Sequence, residues 1–163
     1  MTISAIVAIL TTVACENSPQ AQTGPDNGYI TVENATSYTL TLEEIASKPD
    51  KVELIYFHTK NPCHCMAVVG ENIRYAVENN FKEDLASGKV KLTMIVSDDP
   101  ANAGLVEKYN AMLFTLFIKE IRGNAERIYP VSDIWNMTGD DNRDKLINFI
   151  KLKLTDILEG KSF

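Results

Sequence analysis

The segment VELIYFH, Val52 to His58, constrains the fold of this chain more than any other. It is a nearly continuous run of apolar, aromatic and β-branched side chains. Such a run is typical of a β-strand that is covered on both faces, because a strand with one face in water alternates apolar and polar residues. The segment therefore predicts a central strand of an α/β domain with layers on both sides of the sheet.

The remainder of the chain alternates between helical and strand patterns. Apolar residues at helical spacing predict a helix from Pro62 to about Asn80, with Asn61 as its N-cap and Pro62 as its first residue. Further along, the patterns predict strands at 89–96, 112–121 and 126–131 and helices at 100–109 and 141–159, with a hairpin turn at Gly123-Asn124. Trp135 is predicted to pack against the core, with a place near the site as the alternative.

The predicted order of elements is β-α-β-α-β-β-α with an N-terminal extension in front. This extension includes a short helix that starts at a capping box, Thr41 to Glu44, and ends before Pro49. A right-handed crossover makes the first βαβ unit parallel, and the hairpin adds an antiparallel strand. The fold class expected is an α/β three-layer sandwich with a mixed sheet.

Composition limits the number of domains and the class of partner. A chain of 163 residues that is 45% hydrophobic is long enough for one domain with a sizeable core. The 22 acidic residues outnumber the 16 basic ones and give a net charge of −6, spread along the chain without a basic stripe. We therefore expect no binding to nucleic acid, because nothing is arranged to neutralise phosphates.

The first 28 residues are predicted to lie outside the domain. Residues 3–14, ISAIVAILTTVA, are uncharged and too short to span a bilayer, but have the length of the hydrophobic region of an export signal. Thr12-Val13-Ala14-Cys15 then resembles a bacterial lipobox, in which the cysteine is lipidated. Thr12 stands where leucine is usual, and no lysine or arginine precedes the apolar run.

These features predict an export signal at residues 1–14, a polar tether at 15–28 and a domain at 29–163. The expected location is the bacterial cell envelope, with the chain held to the membrane by a lipid on Cys15. The alternative is that Cys15 belongs to an ordinary cleaved signal or to a buried N-terminal strand.

The cluster FHTKNPCHCMAVV, residues 57–69, holds both histidines and two of the three cysteines. If Pro62 is the first helical residue, Cys63 lies in the first turn, where free N–H groups and the helix dipole favour an anion. His58 and His64 are nearby groups that can be cationic. A thiolate in such surroundings commonly has its pKa lowered from about 8.5 to roughly 3.5–7.5, so Cys63 is predicted to be the nucleophile.

Three kinds of site are compatible with these residues. A disulfide between Cys63 and Cys65 would need the first turn to unwind, because Cβ atoms at i and i+2 of a helix diverge by about 200°, and such a strained bridge would be labile. Alternatively, the two thiolates could bind Cu(I) or Zn(II) with His58, His64 or Met66. Thirdly, the cysteines could be small apolar residues of a domain that only binds a partner. Disulfide exchange is the favoured interpretation.

With its cysteines where the first core strand meets the first core helix, the chain resembles the thioredoxin-like superfamily over about residues 51–159. More narrowly, Phe57-His58, GKVKL, EKYN and the last helix resemble a small family of exported bacterial proteins, the nitrophenyl-compound nitroreductase subunits (ArsF). That name implies a link to nitroaromatic reduction. The family motif is Cys-x-x-Cys, and the resemblance implies that Cys63 is its attacking cysteine.

Two positions depart from this pattern. Met66 stands where the second cysteine is expected, so Cys65 is one residue early, and residues 110–115 lack the proline that thioredoxins place before the third core strand. We therefore predict a Cys-His-Cys site that needs no cofactor and exchanges disulfides with protein or small-molecule thiols. Cys63 would attack, Cys65 would resolve, His64 would tune the thiolate, and His58 would take a catalytic or a structural role.

Overall fold

The computed structural model of the protein describes residues 29–32 and 47–161. The predicted export signal, the tether with Cys15 and the predicted helix after Thr41 lie outside the described residues. Within the described part the chain forms an α/β domain with a mixed β-sheet, as the apolar patterns predict.

Within the described residues the sheet has five strands, in the spatial order β1-β5-β4-β2-β3. They are β1 (Tyr29–Val32), β2 (Lys51–His58), β3 (Val90–Val96), β4 (Leu116–Arg122) and β5 (Ala125–Pro130). Strands β2 and β3 are parallel, and the other neighbouring pairs are antiparallel. Strand β2 pairs on both sides, which explains its almost continuous apolar sequence.

Four α-helices and three 3₁₀ segments are seen in residues 47–161. The α-helices are α1 (His64–Asn80), α2 (Lys82–Ser87), α3 (Ala103–Lys108) and α4 (Arg143–Leu158), and the 3₁₀ segments are Pro100–Asn102, Ser132–Met137 and Asp140–Asn142. Helix α2 was missed by the sequence patterns, because its six residues bury no side chain and carry no apolar periodicity.

Helices cover both faces of the sheet. On one face α1 and α4 enclose the larger apolar core, to which α4 contributes Leu146, Ile150, Leu154 and Ile157, the side chains predicted from helical spacing. On the other face Val106 and Tyr109, from α3 and its end, pack against a smaller cluster of Ile55, Phe57, Ile95, Phe117 and Ile128. This packing holds the carboxyl end of β2 firmly on both sides.

Helix α1 begins two residues later than predicted. Its first residue is His64, and Cys63 is the N-cap, with φ −63° and ψ 162°. Asn61 and Pro62 therefore precede the helix and do not cap or open it. The error has a simple origin, because the fixed φ of proline suits both a first helical position and the extended backbone before a helix.

Strand β4 also begins later than predicted, at Leu116 instead of Met112. The apolar residues before it form a loop in which Phe114 has a φ of +62°, a left-handed conformation that interrupts an extended strand. Met112 and Leu113 are 70% and 51% exposed. The loop stays beside the site, because the Thr115 carbonyl accepts a hydrogen bond of 2.8 Å from the Phe57 N–H.

Candidate functional site

The candidate site lies at the edge of the sheet where the parallel strands β2 and β3 end. Strand β2 finishes at His58, and a short loop leads to Cys63 at the start of α1. The Cys63 carbonyl accepts the first hydrogen bonds of the helix, from the N–H groups of Met66 and Ala67, each at 3.0 Å. Cys63 is thus fixed by its backbone, while its side chain is exposed to solvent.

The two sulfur atoms of Cys63 and Cys65 lie 2.9 Å apart, and both residues are free and exposed cysteines. This is close enough for one thiol to donate a hydrogen bond to the other sulfur, and longer than an S–S bond of about 2.05 Å. That the first turn must unwind to close a disulfide stays a prediction, but Cys63 precedes the helix as its N-cap and does not lie within the first turn. Because Cys63 is an N-cap with extended backbone, its side chain can turn back over the first turn.

The contact between the sulfurs shifts the pKa values of the two thiols in opposite directions. The pKa of Cys63 is lowered, chiefly by the hydrogen bond from Cys65 and further by the backbone N–H of Met66. The pKa of Cys65 is raised, chiefly because its proton is held by the Cys63 sulfur. The Cys63 side chain makes no regular capping hydrogen bond. The negative charge of the pair therefore resides on Cys63, the residue expected to attack.

His64 lies between the cysteines in sequence, but no contact among the described residues joins its ring to either sulfur. Its Nε2 lies 3.3 Å from an Oδ2 atom of Asp140, which precedes α4, and both side chains are more than 70% exposed. The pair connects the starts of α1 and α4. No local pattern pointed to Asp140, because it is 76 residues away in the chain.

His58 has a structural environment at the end of β2. Its Nδ1 donates to the Thr59 carbonyl at 2.9 Å, and its ring stacks on Tyr56 with centroids 6.0 Å apart. Its own carbonyl accepts hydrogen bonds from Ser97, at 2.7 Å from the N–H and 3.0 Å from the hydroxyl. Among residues 47–161 no hydrogen bond or ion pair joins His58 to a cysteine. These contacts favour the structural interpretation of His58.

The contact between Cys63 and Cys65 is shorter than the spacing of two thiolates on a tetrahedral zinc ion. In residues 29–32 and 47–161 no group of three or more His, Cys, Asp and Glu side chains is placed to hold a metal ion. Two thiolates on one tetrahedral zinc ion would lie about 3.8 Å apart, given Zn–S bonds of about 2.3 Å. The sulfurs of Cys63 and Cys65 are closer than that, at 2.9 Å.

A cavity of about 450 Å³ opens next to the loop before β4. Its lining includes the aromatic rings of Tyr109, Phe117 and Trp135, with Thr115 connecting it to the end of β2. Trp135 is 42% exposed and meets Phe114 edge to face, so the prediction that it packs in the core is wrong. Sequence patterns could not find this cavity, because its walls come from segments that are distant in the chain.

None of the described helices is long and apolar enough to cross a membrane. No protein-family model matches this chain, and no curated protein matches it. The resemblance to thioredoxin-like proteins and to the nitrophenyl-compound nitroreductase subunits therefore stays a prediction from the residues.

Proposed function

We propose that this chain is an exported thioredoxin-like domain that exchanges disulfides through Cys63 and Cys65. A lipid on Cys15 would anchor it to the membrane of the bacterial cell envelope, and its partners would be protein or small-molecule thiols and disulfides. The observation that carries the proposal is the pair of exposed sulfurs, 2.9 Å apart, whose pKa values shift in opposite directions.

The arrangement of the sheet supports a thioredoxin-like topology. Strands β3, β2, β4 and β5 are neighbours in that order, the first two parallel and the others antiparallel. Helices α1 and α4 share one face and α3 lies on the other. The resemblance places reactive cysteines where the first core strand meets the first core helix, the position of Cys63 in this chain.

The exchange would proceed in two balanced steps. The Cys63 thiolate attacks one sulfur of a partner disulfide, a bond forms between them, and the second partner sulfur leaves as a thiolate that takes a proton. Cys65 then loses its proton to solvent and attacks the Cys63 sulfur. This second step closes the Cys63–Cys65 bond and releases the partner as a dithiol, so two electrons have passed to the partner.

The same steps run backwards when the pair oxidises a partner. Outside the reducing cytoplasm the pair would rest as a disulfide, and a partner dithiol would have to reduce it. The direction in the cell depends on the reduction potential of the pair against that of its partner.

The test is a thiol count on the full chain with glutathione disulfide as oxidant. We expect the reduced protein to lose two thiols and to regain them with dithiothreitol. In Cys65→Ser the Cys63 thiol should remain trapped as a mixed disulfide with glutathione, visible by intact mass. Cys63→Ser should lose no more than the single Cys65 thiol of the pair, because Cys65 alone cannot close an intramolecular bond. A wild-type thiol count that oxidant leaves unchanged contradicts the proposal.

A further inference from the structure

The short loop before Cys63 is held to the rest of the fold by a side chain from another strand end. Residues 59–62 form this loop, between the last residue of β2 and Cys63. Within residues 47–161 one hydrogen bond joins the loop to a distant segment, from the Lys60 N–H to an Oδ1 atom of Asp98 at 2.8 Å. Asp98 follows β3 and is 38 residues away in the chain. The position of the loop therefore depends on this carboxylate.

Asp98 belongs to a turn that is itself fixed. The preceding residue, Ser97, donates its N–H and its hydroxyl to the His58 carbonyl, at 2.7 and 3.0 Å. Further along the turn, the Asn102 side-chain amide donates to the Val96 carbonyl at 2.8 Å. These bonds tie the turn to the ends of both parallel strands, so the carboxylate of Asp98 is presented to the loop from a rigid base.

The chain between Lys60 and Cys63 is stiff. The ring of Pro62 fixes its φ, and Asn61, as the residue before a proline, is restricted to extended backbone. Few dihedral angles remain free in this stretch, so a bond that fixes the Lys60 N–H also restricts Cys63. The restriction matters for the site, because the backbone of Cys63, with φ −63° and ψ 162°, brings its sulfur to 2.9 Å from that of Cys65.

We propose that Asp98 is a positioning residue of the dithiol site, which holds the loop before Cys63 through the Lys60 N–H. This inference rests on the disulfide exchange proposed above. Among residues 47–161 no hydrogen bond or ion pair joins Asp98 to either sulfur, and its role changes no covalent bond. It keeps the Cys63 sulfur beside the Cys65 thiol and the Met66 N–H, the two groups that chiefly favour the thiolate.

The charge of Asp98 and its hydrogen bond act on the Cys63 thiolate in opposite directions. A nearby carboxylate disfavours a thiolate, so removal of the charge alone would lower the pKa of Cys63. Loss of the hydrogen bond would free the loop, weaken the contacts of the sulfur and raise that pKa. The variants below leave the other ionisable groups around Cys63 unchanged, and these are His58, Lys60, Cys65 and the pair of His64 and Asp140.

The test compares Asp98→Ala with Asp98→Asn in the full chain. Both remove the charge, but the amide oxygen in Asp98→Asn can still accept from the Lys60 N–H. In Asp98→Ala we expect alkylation of Cys63 by iodoacetamide to slow about threefold to tenfold at neutral pH, because the thiolate is the reacting form. Its pH profile should move to higher pH, and Asp98→Asn should react at least as fast as the wild type. Asp98 is exposed, so neither variant leaves a cavity.

Asp99→Ala is the matched control. It removes an equal charge from the next residue, whose carboxylate accepts a hydrogen bond of 2.9 Å from the Ala101 N–H within its own turn. The bond between Asp98 and Lys60 remains. We expect the alkylation rate of Cys63 to stay within about twofold of the wild type, since only an exposed charge that salt screens is removed.

The outcomes separate this inference from the proposed function. If folded Asp98→Ala keeps or exceeds the wild-type alkylation rate, or if Asp98→Asn is slowed equally, the inference about Asp98 is wrong and disulfide exchange stands. If glutathione disulfide leaves the wild-type thiol count unchanged, the proposed function is wrong, and the alkylation rates still decide whether Asp98 positions Cys63.

Discussion

The segments that follow β2 and β3 occupy equivalent places in the fold but use the start of a helix differently. Both strands are parallel and end at the same edge of the sheet. After β3, the Asp99 carboxylate caps the 3₁₀ segment and accepts a hydrogen bond of 2.9 Å from the Ala101 N–H. After β2, the N-cap is Cys63, whose side chain makes no such bond. The first start is stabilised by its side chain, and the second keeps a sulfur that is exposed to solvent.

The physical difference lies in what each side chain does with the free N–H groups of the turn. A carboxylate that accepts a hydrogen bond from them is held in one place and stabilises the helix. A sulfur is a weaker acceptor and stays accessible, while the same N–H groups favour its thiolate form. The comparison predicts that a carboxylate in place of Cys63 stabilises the protein and removes the reactive sulfur. It also predicts that loss of the Asp99 carboxylate lowers stability and leaves the reactivity of Cys63 unchanged.

The largest effect is expected from Cys63→Asp, which gives α1 the kind of cap that Asp99 provides. The reversible loss of two thiols should disappear, because an aspartate cannot form the mixed disulfide and Cys65 alone cannot close the pair. The melting temperature of the reduced protein should rise by about 2–4 °C, the usual gain from a good N-cap in a chain of this size. Differential scanning calorimetry and the thiol count measure the two effects. A melting temperature below that of Cys63→Ala would contradict the assignment of Cys63 as the N-cap.

The pH dependence of alkylation should differ between the two cysteines. The pKa of Cys63 is lowered and that of Cys65 is raised, so Cys63 should stay reactive at pH values where Cys65 has become protonated and inert. Rates measured by iodoacetamide labelling and peptide mass spectrometry, from about pH 5 to 10, give both profiles. Because the thiols share a proton, Cys65→Ser should move the Cys63 profile to higher pH. Coincident wild-type profiles would contradict the asymmetry.

A smaller effect is expected from Asp99→Ala, which removes the cap after β3. The free energy of unfolding should fall by about 1 kcal/mol, since one turn loses its side-chain acceptor. Exchange through Cys63 should be unchanged, because the capping bond of Asp99 stays within its own turn. Urea denaturation measures the loss, and Asp141→Ala removes an equal charge at an exposed position as control. A loss of exchange without a loss of stability would show that the two starts are not independent.

The smallest effect is expected from Asp140→Asn, which weakens the contact with His64. Both side chains are mostly exposed, so the free energy of unfolding should change by no more than about 0.5 kcal/mol. If His64 tunes the thiolate only through its charge, the alkylation rate of Cys63 should change less than about threefold in Asp140→Asn. The change should be smaller still at high salt, because salt screens the interaction between exposed charges. A larger change in the alkylation rate, which His64→Gln reproduces and which the double variant does not increase further, would show that the pair positions the site.

Local pattern was sufficient to predict most of the fold. Strand β2 and helix α4 lie within two residues of their predicted bounds, because a continuous apolar run and a helical apolar stripe are local signals of burial. The strand predicted from Met112 failed at Phe114, whose left-handed backbone is imposed by the loop and not by its own preference. Helix α1 was placed correctly except at its start, where the site lies.

The sequence by itself determined that two cysteines and two histidines fall at the junction of a buried strand and a helix, because that follows from residue order and periodicity. Only the tertiary structure decided how they meet. The extended backbone of Cys63 brings its sulfur to 2.9 Å from Cys65, Asp140 arrives from 76 residues away, and Asp98 meets the loop before Cys63 from 38 residues away. These features depend on dihedral angles and on packing between distant segments, and neither is encoded in the spacing of a short motif.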